Sequence, residues 1–296
     1  MSIAEEEKEK VKMSEVTTVK KTTKKRTKRS AKKASRRAVI VYGTRTPFVK
    51  AFGPYLKMDT IALGCAAVEG LLNQSKIERN EIDSIVWGGV IFPGFAPNVG
   101  REIALDLKLP FDVEAYTLPR ACASGLQAIT NAAAAIERGD ADVVIAGGSD
   151  STSNAEIKLP QKVVHALAPL AFGKAGAGDV LGVLAQLLPI NEILPKMPKI
   201  AERTTGQVMG EAAEEMAVRN EISRQAQDEF AVRSHHRAAQ ALASGRFDKE
   251  LVAVQTPDGQ WVHRDLMVRG DTSVEKLAGL RPVFSKEGSL TAGNSS

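Results

Sequence analysis

The stretch Val113-Glu114-Ala115-Tyr116-Thr117-Leu118-Pro119-Arg120-Ala121-Cys122-Ala123-Ser124-Gly125-Leu126-Gln127 passes from a strand-like segment, across a proline, into an alanine-rich run. Val113–Leu118 reads as a strand. Cys122–Arg138 reads as a helix, with Leu126, Ile129, Ala133 and Ile136 on one face and Gly139 as its stop. Cys122 therefore falls where a strand hands over to a helix. A thiol at a helix N-terminus feels the positive end of the helix dipole and unpaired backbone N–H groups. Both favour the thiolate, the nucleophilic form. Gly125 lets backbone or substrate approach closely. The competing reading is a small buried cysteine, because free cysteine often serves only as a hydrophobe. Cys65 takes that second reading more strongly, since it lies on an apolar helical stripe with no activating neighbour.

Outward from this junction the pattern alternates. Ala38–Tyr42, Ser84–Ile91 and Asp142–Ala146 read as further strands. Asp59 is placed to cap a helix carrying Ile61, Cys65, Val68 and Leu72, and Asn98–Lys108 reads as another helix. Four strands alternating with helices predict an α/β fold, a mostly parallel sheet with helices on both faces. After Ser149 the rhythm breaks at Pro160, Pro169, Pro189, Pro195 and Pro198. Helices over Gly210–Asn220 and Ser223–Ser244, a strand near Leu251–Gln255 and a helix near Ser273–Leu280 follow, as a large insertion on the sheet domain.

The 296 residues, 43% hydrophobic and 25% charged, suit one large or two ordinary globular domains. Two cysteines exclude a disulfide-stapled scaffold and fit a reducing compartment. With four histidines, close together only at His235–His236, they argue against a structural metal site. The longest apolar run, Val180–Ile190, is interrupted by Gly182, Gln186 and Pro189, so no membrane span is expected.

The net charge of +5 is divided unevenly. Residues 1–37 hold 14 Lys+Arg against 5 Asp+Glu, while the remainder holds 26 against 30. The body is mildly acidic, which weakens a reading of the fold itself as a nucleic-acid binder. The tail, residues 1–37, has no aromatic residue and reads as disordered. It lacks the apolar stretch of a secretory signal, and Glu5, Glu6, Glu7 and Glu9 argue against a mitochondrial transit peptide, which leaves a cytoplasmic location. An arm that meets polyanions non-specifically is favoured over specific DNA binding, because a basic run carries no groove-reading element.

Nine segments together resemble the thiolases, a family of acyl-CoA acyltransferases. In order they are Gly43-Thr44-Arg45-Thr46-Pro47-Phe48, Asn98-Val99-Gly100-Arg101, Cys122-Ala123-Ser124-Gly125-Leu126-Gln127-Ala128 and Ala146-Gly147-Gly148-Ser149-Asp150-Ser151-Thr152-Ser153. Then come Met209-Gly210-Glu211-Ala212-Ala213-Glu214, Gln227-Asp228-Glu229-Phe230-Ala231-Val232-Arg233-Ser234-His235, Gly245-Arg246-Phe247, Leu280-Arg281-Pro282-Val283-Phe284 and Thr291-Ala292-Gly293-Asn294-Ser295-Ser296. The likeness is greatest to the branch with bacterial long-chain thiolases and β-subunits of fatty-acid oxidation complexes. It implies that Cys122 takes the acyl group as a thioester, transferring it between 3-oxoacyl-CoA and coenzyme A in fatty-acid β-oxidation or acetoacetyl-CoA formation. Coenzyme A and acyl-CoA are then substrates, and no permanent cofactor is implied. It implies an N-terminal half over 38–150 and a coenzyme A-binding loop domain over 151–296. There Arg269 matches an arginine near the nucleotide end, Met209 a methionine along the pantetheine arm, and Ser296 a serine bonding that arm. A homo-oligomer, dimer or tetramer, and association with a fatty-acid oxidation α-subunit are implied for the full-length protein.

The sequence departs from the family where it stops, inside the last motif. The family's final strand of the first half should follow, and then a second half with a Gly-His-Pro histidine, a Cys-x-Gly cysteine and an Asn-Glu turn. None of these occurs here. Acylating Cys122 needs a base and oxyanion donors, and carbon–carbon chemistry needs an acid/base at the α-carbon. The chain alone is therefore expected to be a poor enzyme, with the apolar face of the Cys122 helix open to water. Three alternatives remain: a ketoacyl synthase, which lacks the Arg-Pro-x-Phe and Thr-Ala-Gly-Asn motifs; a catalytically incomplete coenzyme A-binding or scaffold protein; and a nucleic-acid binder led by its tail.

Overall fold

The computed structural model describes residues 36–295, except 158, 174–181, 184–186, 188, 190–192 and 195–200. The tail to residue 35, Ser296 and most of Val180–Ile190 thus lie outside the described residues. Residues Arg36–Ser296 fall in one compact unit.

Helix α1, Thr60–Ser75, begins as expected at Asp59, whose carboxylate accepts the Ala62 N–H at 2.8 Å. Strand β1, Ser84–Gly88, is buried along its whole length. Helix α2, Val99–Asp106, is capped by Asn98, and strand β2 covers Glu114–Leu118. Helix α3 is Ser124–Arg138, ended by Gly139 at φ 86°, and β3 is Val144–Gly148. Both β2 and β3 run parallel to β1, with Ser84 opposite Glu114 on one side and Val144 on the other.

The alternation along β1 assigns the layers. Ile85 and Trp87 face α1 and α2, packing with Val68, Val99, Ile103 and Ile145. Val86 faces α3, where Ala128 and Ala132 lie against it. The expected stripe of α3 is thus not the face turned to the sheet. The small alanines go inward, because only they let the helix lie close on the strands. Leu126 stays 66% exposed.

One expected strand does not form. Ala38–Tyr42 carries no ladder, and Val39, Ile40 and Val41 are exposed. A β-branched run needs a partner edge to become a strand, and among the described residues none lies against it. The sheet therefore has three described strands in the order β2-β1-β3, with the outer edge of β3 unpaired. A cavity of about 350 Å³ runs along that edge, between Tyr42–Ala51 and Ile145–Ser153.

Beyond the sheet lie α4 (Gln161–Phe172), α5 (Met209–Arg219), α6 (Arg224–Ala243) and α7 (Val274–Ala278). Ser223 and Ser273 cap α6 and α7 as Ser/Thr/Asp/Asn residues do. The strand foreseen near Leu251–Gln255 is half of a hairpin, β4 (Val254–Gln255) against β5 (Trp261–Val262). Arg45 fastens this region to the start of the body. Its guanidinium meets Asp265 with two bonds, 2.7 and 3.0 Å, and Glu250 at 3.0 Å, between the rings of Phe48 and Phe247. Burial pushes the Asp265 carboxyl up, but the bonds from Arg45 and the Phe48 N–H outweigh it and hold the group below its ordinary value.

Candidate active site

The strands β1, β2 and β3 all end on one side of the sheet, at Gly88, Leu118 and Gly148. In open α/β sheets, ligands bind outside the carboxyl ends of the strands. Cys122 follows the end of β2 on that side. Helix α3 starts two residues later than the sequence pattern predicts, so Cys122 stands in the turn just before the cap residue Ala123.

The turn is tight and strained. Ala121 adopts φ 46°, in the left-handed region that alanine visits at a cost of about 1–2 kcal/mol. The Ala123 N–H bonds the Arg120 carbonyl and the Ser124 N–H bonds the Ala121 carbonyl, both at 3.1 Å. Ser124, 3% exposed, secures the turn from below. Its hydroxyl accepts the Arg120 N–H at 2.7 Å and lies 2.7 Å from the Ala121 carbonyl and 3.1 Å from that of Gly89. With its backbone folded under it, the thiol of Cys122 is exposed. Among the described residues no side chain holds it.

Gly88, not Gly125, is where close approach matters. A Cβ on Gly88 would sit 2.5 Å from the Ser124 carbonyl carbon, whereas one on Gly125 would meet nothing within 4 Å. The end of β1 therefore presses directly under the first turn of α3. Neither Gly88, Ser124 nor the Ala121 backbone was singled out from sequence. Only the spatial adjacency of β1 and α3 reveals them.

The motif after β3 braces the same side. Ser149 accepts the Trp87 indole N–H at 2.9 Å and donates to the Thr60 carbonyl at 2.7 Å. Asp150 accepts the N–H groups of Val90 and Ile91 at 2.9 and 2.6 Å. Asn98 accepts the Thr117 hydroxyl at 3.1 Å and donates to the Ala115 carbonyl, tying α2 to β2. These residues fix the ends of the strands rather than reach for a ligand.

Cys65 is a different kind of thiol. Burial first, then the nearby Asp106 carboxylate, push it up to about 12. It stays protonated at neutral pH, as its sequence context suggested. Cavity and thiol are also separate: Cys122 does not line the space along β3.

Of the residues matched to coenzyme A contacts, Met209 opens α5 and is exposed, with Gly210 directly beneath the Phe284 ring. Arg269 is exposed, and its N–H donates to His235 Nδ1 at 3.2 Å. Ser296 lies outside the described residues. No contact among those described joins Met209 or Arg269 to Cys122. The late motifs do meet one another. Asp228, 1% exposed, pairs with Arg224 at 2.7 Å and accepts from Asn294 at 2.8 Å. Glu214 accepts the N–H groups of Ser289 and Leu290 and the Ser289 hydroxyl.

Comparison with known proteins accounts for this arrangement. Residues 38–296 match the family described as thiolase, N-terminal domain. The chain belongs to the thiolase family. It is 37% identical over 261 residues to the 3-ketoacyl-CoA thiolase of Shewanella halifaxensis, covering 88% of this chain and 59% of that one. With the 3-ketoacyl-CoA thiolase of Vibrio cholerae the identity is 38%, covering 88% and 60%. Among solved structures, acetyl-CoA acetyltransferase from Bacillus anthracis superposes with a TM-score of 0.72 at 31% identity, covering 88% of this chain and 62% of that one. Human mitochondrial 3-ketoacyl-CoA thiolase in complex with CoA gives 0.71 at 27%, covering 86% and 60%. The chain thus spans about 60% of the length of the thiolases it matches. Among the described residues, no helix is long and apolar enough to cross a membrane.

Proposed function

We propose that this thiolase-family chain carries the acyl-accepting nucleophile of a 3-oxoacyl-CoA thiolase, and that Cys122 is that nucleophile. The observation that carries the reading is the exposed Cys122 thiol, held on a strained strand-to-helix turn at the carboxyl ends of a parallel sheet. In the proposed reaction the Cys122 sulfur attacks the 3-keto carbon, and the bond between C2 and C3 breaks. The electron pair left on C2 takes a proton and leaves as acetyl-CoA, with the shortened acyl group on sulfur. The thiol of coenzyme A then attacks this thioester, giving a new acyl-CoA and returning the Cys122 thiol. Developing negative charge near the first turn of α3 meets the positive end of that helix.

The acid/base group at C2 and the oxyanion donors are assigned to the part of thiolases that this chain does not span. Met209, Arg269 and Ser296 are proposed to contact coenzyme A, within a loop domain over 151–296 inserted on the half formed by 38–150. Homo-oligomerisation, pairing with a fatty-acid oxidation α-subunit and a cytoplasmic location are proposed for the whole protein on the same likeness.

The test is acyl exchange. Acetyl-CoA and isotopically labelled coenzyme A are incubated with the chain, and label entering acetyl-CoA is followed. This half-reaction needs the nucleophile but no chemistry at C2. Exchange that disappears in Cys122→Ser supports the reading. Exchange unchanged in that variant refutes it, and no exchange by the unaltered chain favours a coenzyme A-binding scaffold.

A further inference from the structure

Arg269 is exposed and stands in the loop before α7, so a coenzyme A contact there needs something to hold its backbone in place. Residues 269–272 lie against α6. A Cβ on Gly270 would sit 3.0 Å from the Ala239 methyl. Thr272 is 8% exposed, and its N–H donates to the Arg269 carbonyl at 3.3 Å, closing a turn. Two adjacent histidines of α6 fasten the two ends of this turn. His235 Nδ1 accepts the Arg269 N–H at 3.2 Å, and His236 Nε2 meets the Thr272 carbonyl at 2.9 Å. The two bonds use opposite capacities of the ring. A carbonyl only accepts, so His236 must carry a proton on Nε2, which both its neutral and its protonated forms can do. A backbone N–H only donates, so His235 must keep Nδ1 bare, which the protonated ring never offers.

We propose that His235 is a positioning residue for coenzyme A: it holds the Arg269 backbone while Nδ1 is bare and releases it when Nδ1 takes a proton, with His236 keeping the far end of the turn attached. This rests on the reading of Arg269 as a coenzyme A contact. Histidine is the side chain whose charge ordinarily changes between about pH 5 and 8. Few charged groups surround the bond. On α6 the positions one turn from His235 are Ala231, Val232, Ala238 and Ala239, none of them titratable. From the turn come Arg269 itself and Asp271, and Asp271 bonds the Lys276 ammonium of α7 at 3.1 Å. That bond, and more weakly the charge of Arg269, hold the Asp271 carboxyl below its ordinary value, so it stays ionised down to about pH 5.5. Mild acid therefore acts on this turn through the two histidines, and of their two bonds only that of His235 is lost. The grip on coenzyme A loosens at the arginine while the loop as a whole stays on α6.

The experiment compares the full chain with His235→Asn, His235→Ala and Arg269→Ala. The amide oxygen brought in by His235→Asn can replace Nδ1 as acceptor and does not titrate, whereas His235→Ala offers no acceptor. Hydrogen exchange at the Arg269 amide, corrected for the intrinsic effect of pH, reads the bond itself. Calorimetric titration with coenzyme A reads its consequence. At about pH 7.5, His235→Ala should exchange at least about threefold faster and bind coenzyme A about three- to tenfold more weakly, with His235→Asn within about twofold of the unaltered chain. Between about pH 7.5 and 5.5 the unaltered chain should lose at least about threefold more affinity than His235→Asn. Exchange as slow in His235→Ala as in the unaltered chain, an equal pH response in His235→Asn, or tighter binding in acid would each overturn the proposal. Absent binding by the unaltered chain, or binding unchanged in Arg269→Ala, would overturn the reading of Arg269 and with it the link to coenzyme A. Exchange that is slow at neutral pH and quickens in acid would even then establish the hold by His235.

Discussion

The two cysteines show how environment divides one side-chain type into two behaviours. Cys65 lies half-buried on α1 beside Asp106, and its thiol is pushed up to about 12. Burial and that carboxylate keep the Cys65 thiol in its protonated, less nucleophilic form. Cys122 is exposed at the end of a strained turn. Limited treatment of the folded chain with iodoacetamide at pH 8 should alkylate Cys122 at least about tenfold faster than Cys65, read by peptide mapping. Equal rates, or faster reaction at Cys65, would show that burial does not separate them. The position of Cys122 between a strand and a helix was legible from sequence, because a strand, a cysteine and an alanine-rich helix stand in order. Ala121 was not, since nothing in an alanine announces a positive φ. That conformation is imposed by Ser124 holding Arg120 and Ala121 from beneath.

At the scale of elements, local signals were read well and partner-dependent ones poorly. Asp59, Ser223 and Gly139 mark helix ends through bonds to their own neighbours, so sequence suffices. Ala38–Tyr42 has the composition of a strand, yet strand formation is a property of a pair. In α3, periodicity finds the large apolar stripe, while the face that meets β1 is chosen by size, at Ala128 and Ala132. The same close packing makes Gly88 sensitive. Gly88→Ala places a methyl 2.5 Å from the Ser124 carbonyl carbon, and backbone cannot step aside as a side chain can. A destabilisation of about 1–3 kcal/mol is expected. Slower alkylation of Cys122 should accompany it as the α3 turn shifts. Denaturant unfolding checks the first effect and peptide mapping the second. A variant of normal stability would mean that the β1–α3 contact is loose.

Across the whole molecule, distant stretches are joined by buried polar groups that no local pattern foretells. Arg45 reaches Asp265, Asp228 reaches Asn294, and Glu214 gathers Ser289 and Leu290. Burial pushes the Glu214 carboxyl up, but the backbone N–H groups of Ser289 and Leu290 and the Ser289 hydroxyl bring it below its ordinary 4.5. A carboxyl lowered on folding adds stability that is fully present above its unfolded value and is lost as pH falls through the folded one. Glu214→Gln should therefore melt lower than the unaltered chain at pH 7, by an amount corresponding to about 1–3 kcal/mol. The gap should narrow as pH drops from about 5 to 3. A gap constant with pH would contradict this account of Glu214. In the proposed reaction the acyl group is carried by Cys122, and a direct test is to incubate the chain with acetyl-CoA and map its peptides by mass spectrometry at mildly acidic pH to preserve thioesters. An added acetyl group is expected on the peptide containing Cys122, removed by free coenzyme A and missing in Cys122→Ser. Acetylation at Cys65, or at no cysteine, would contradict it.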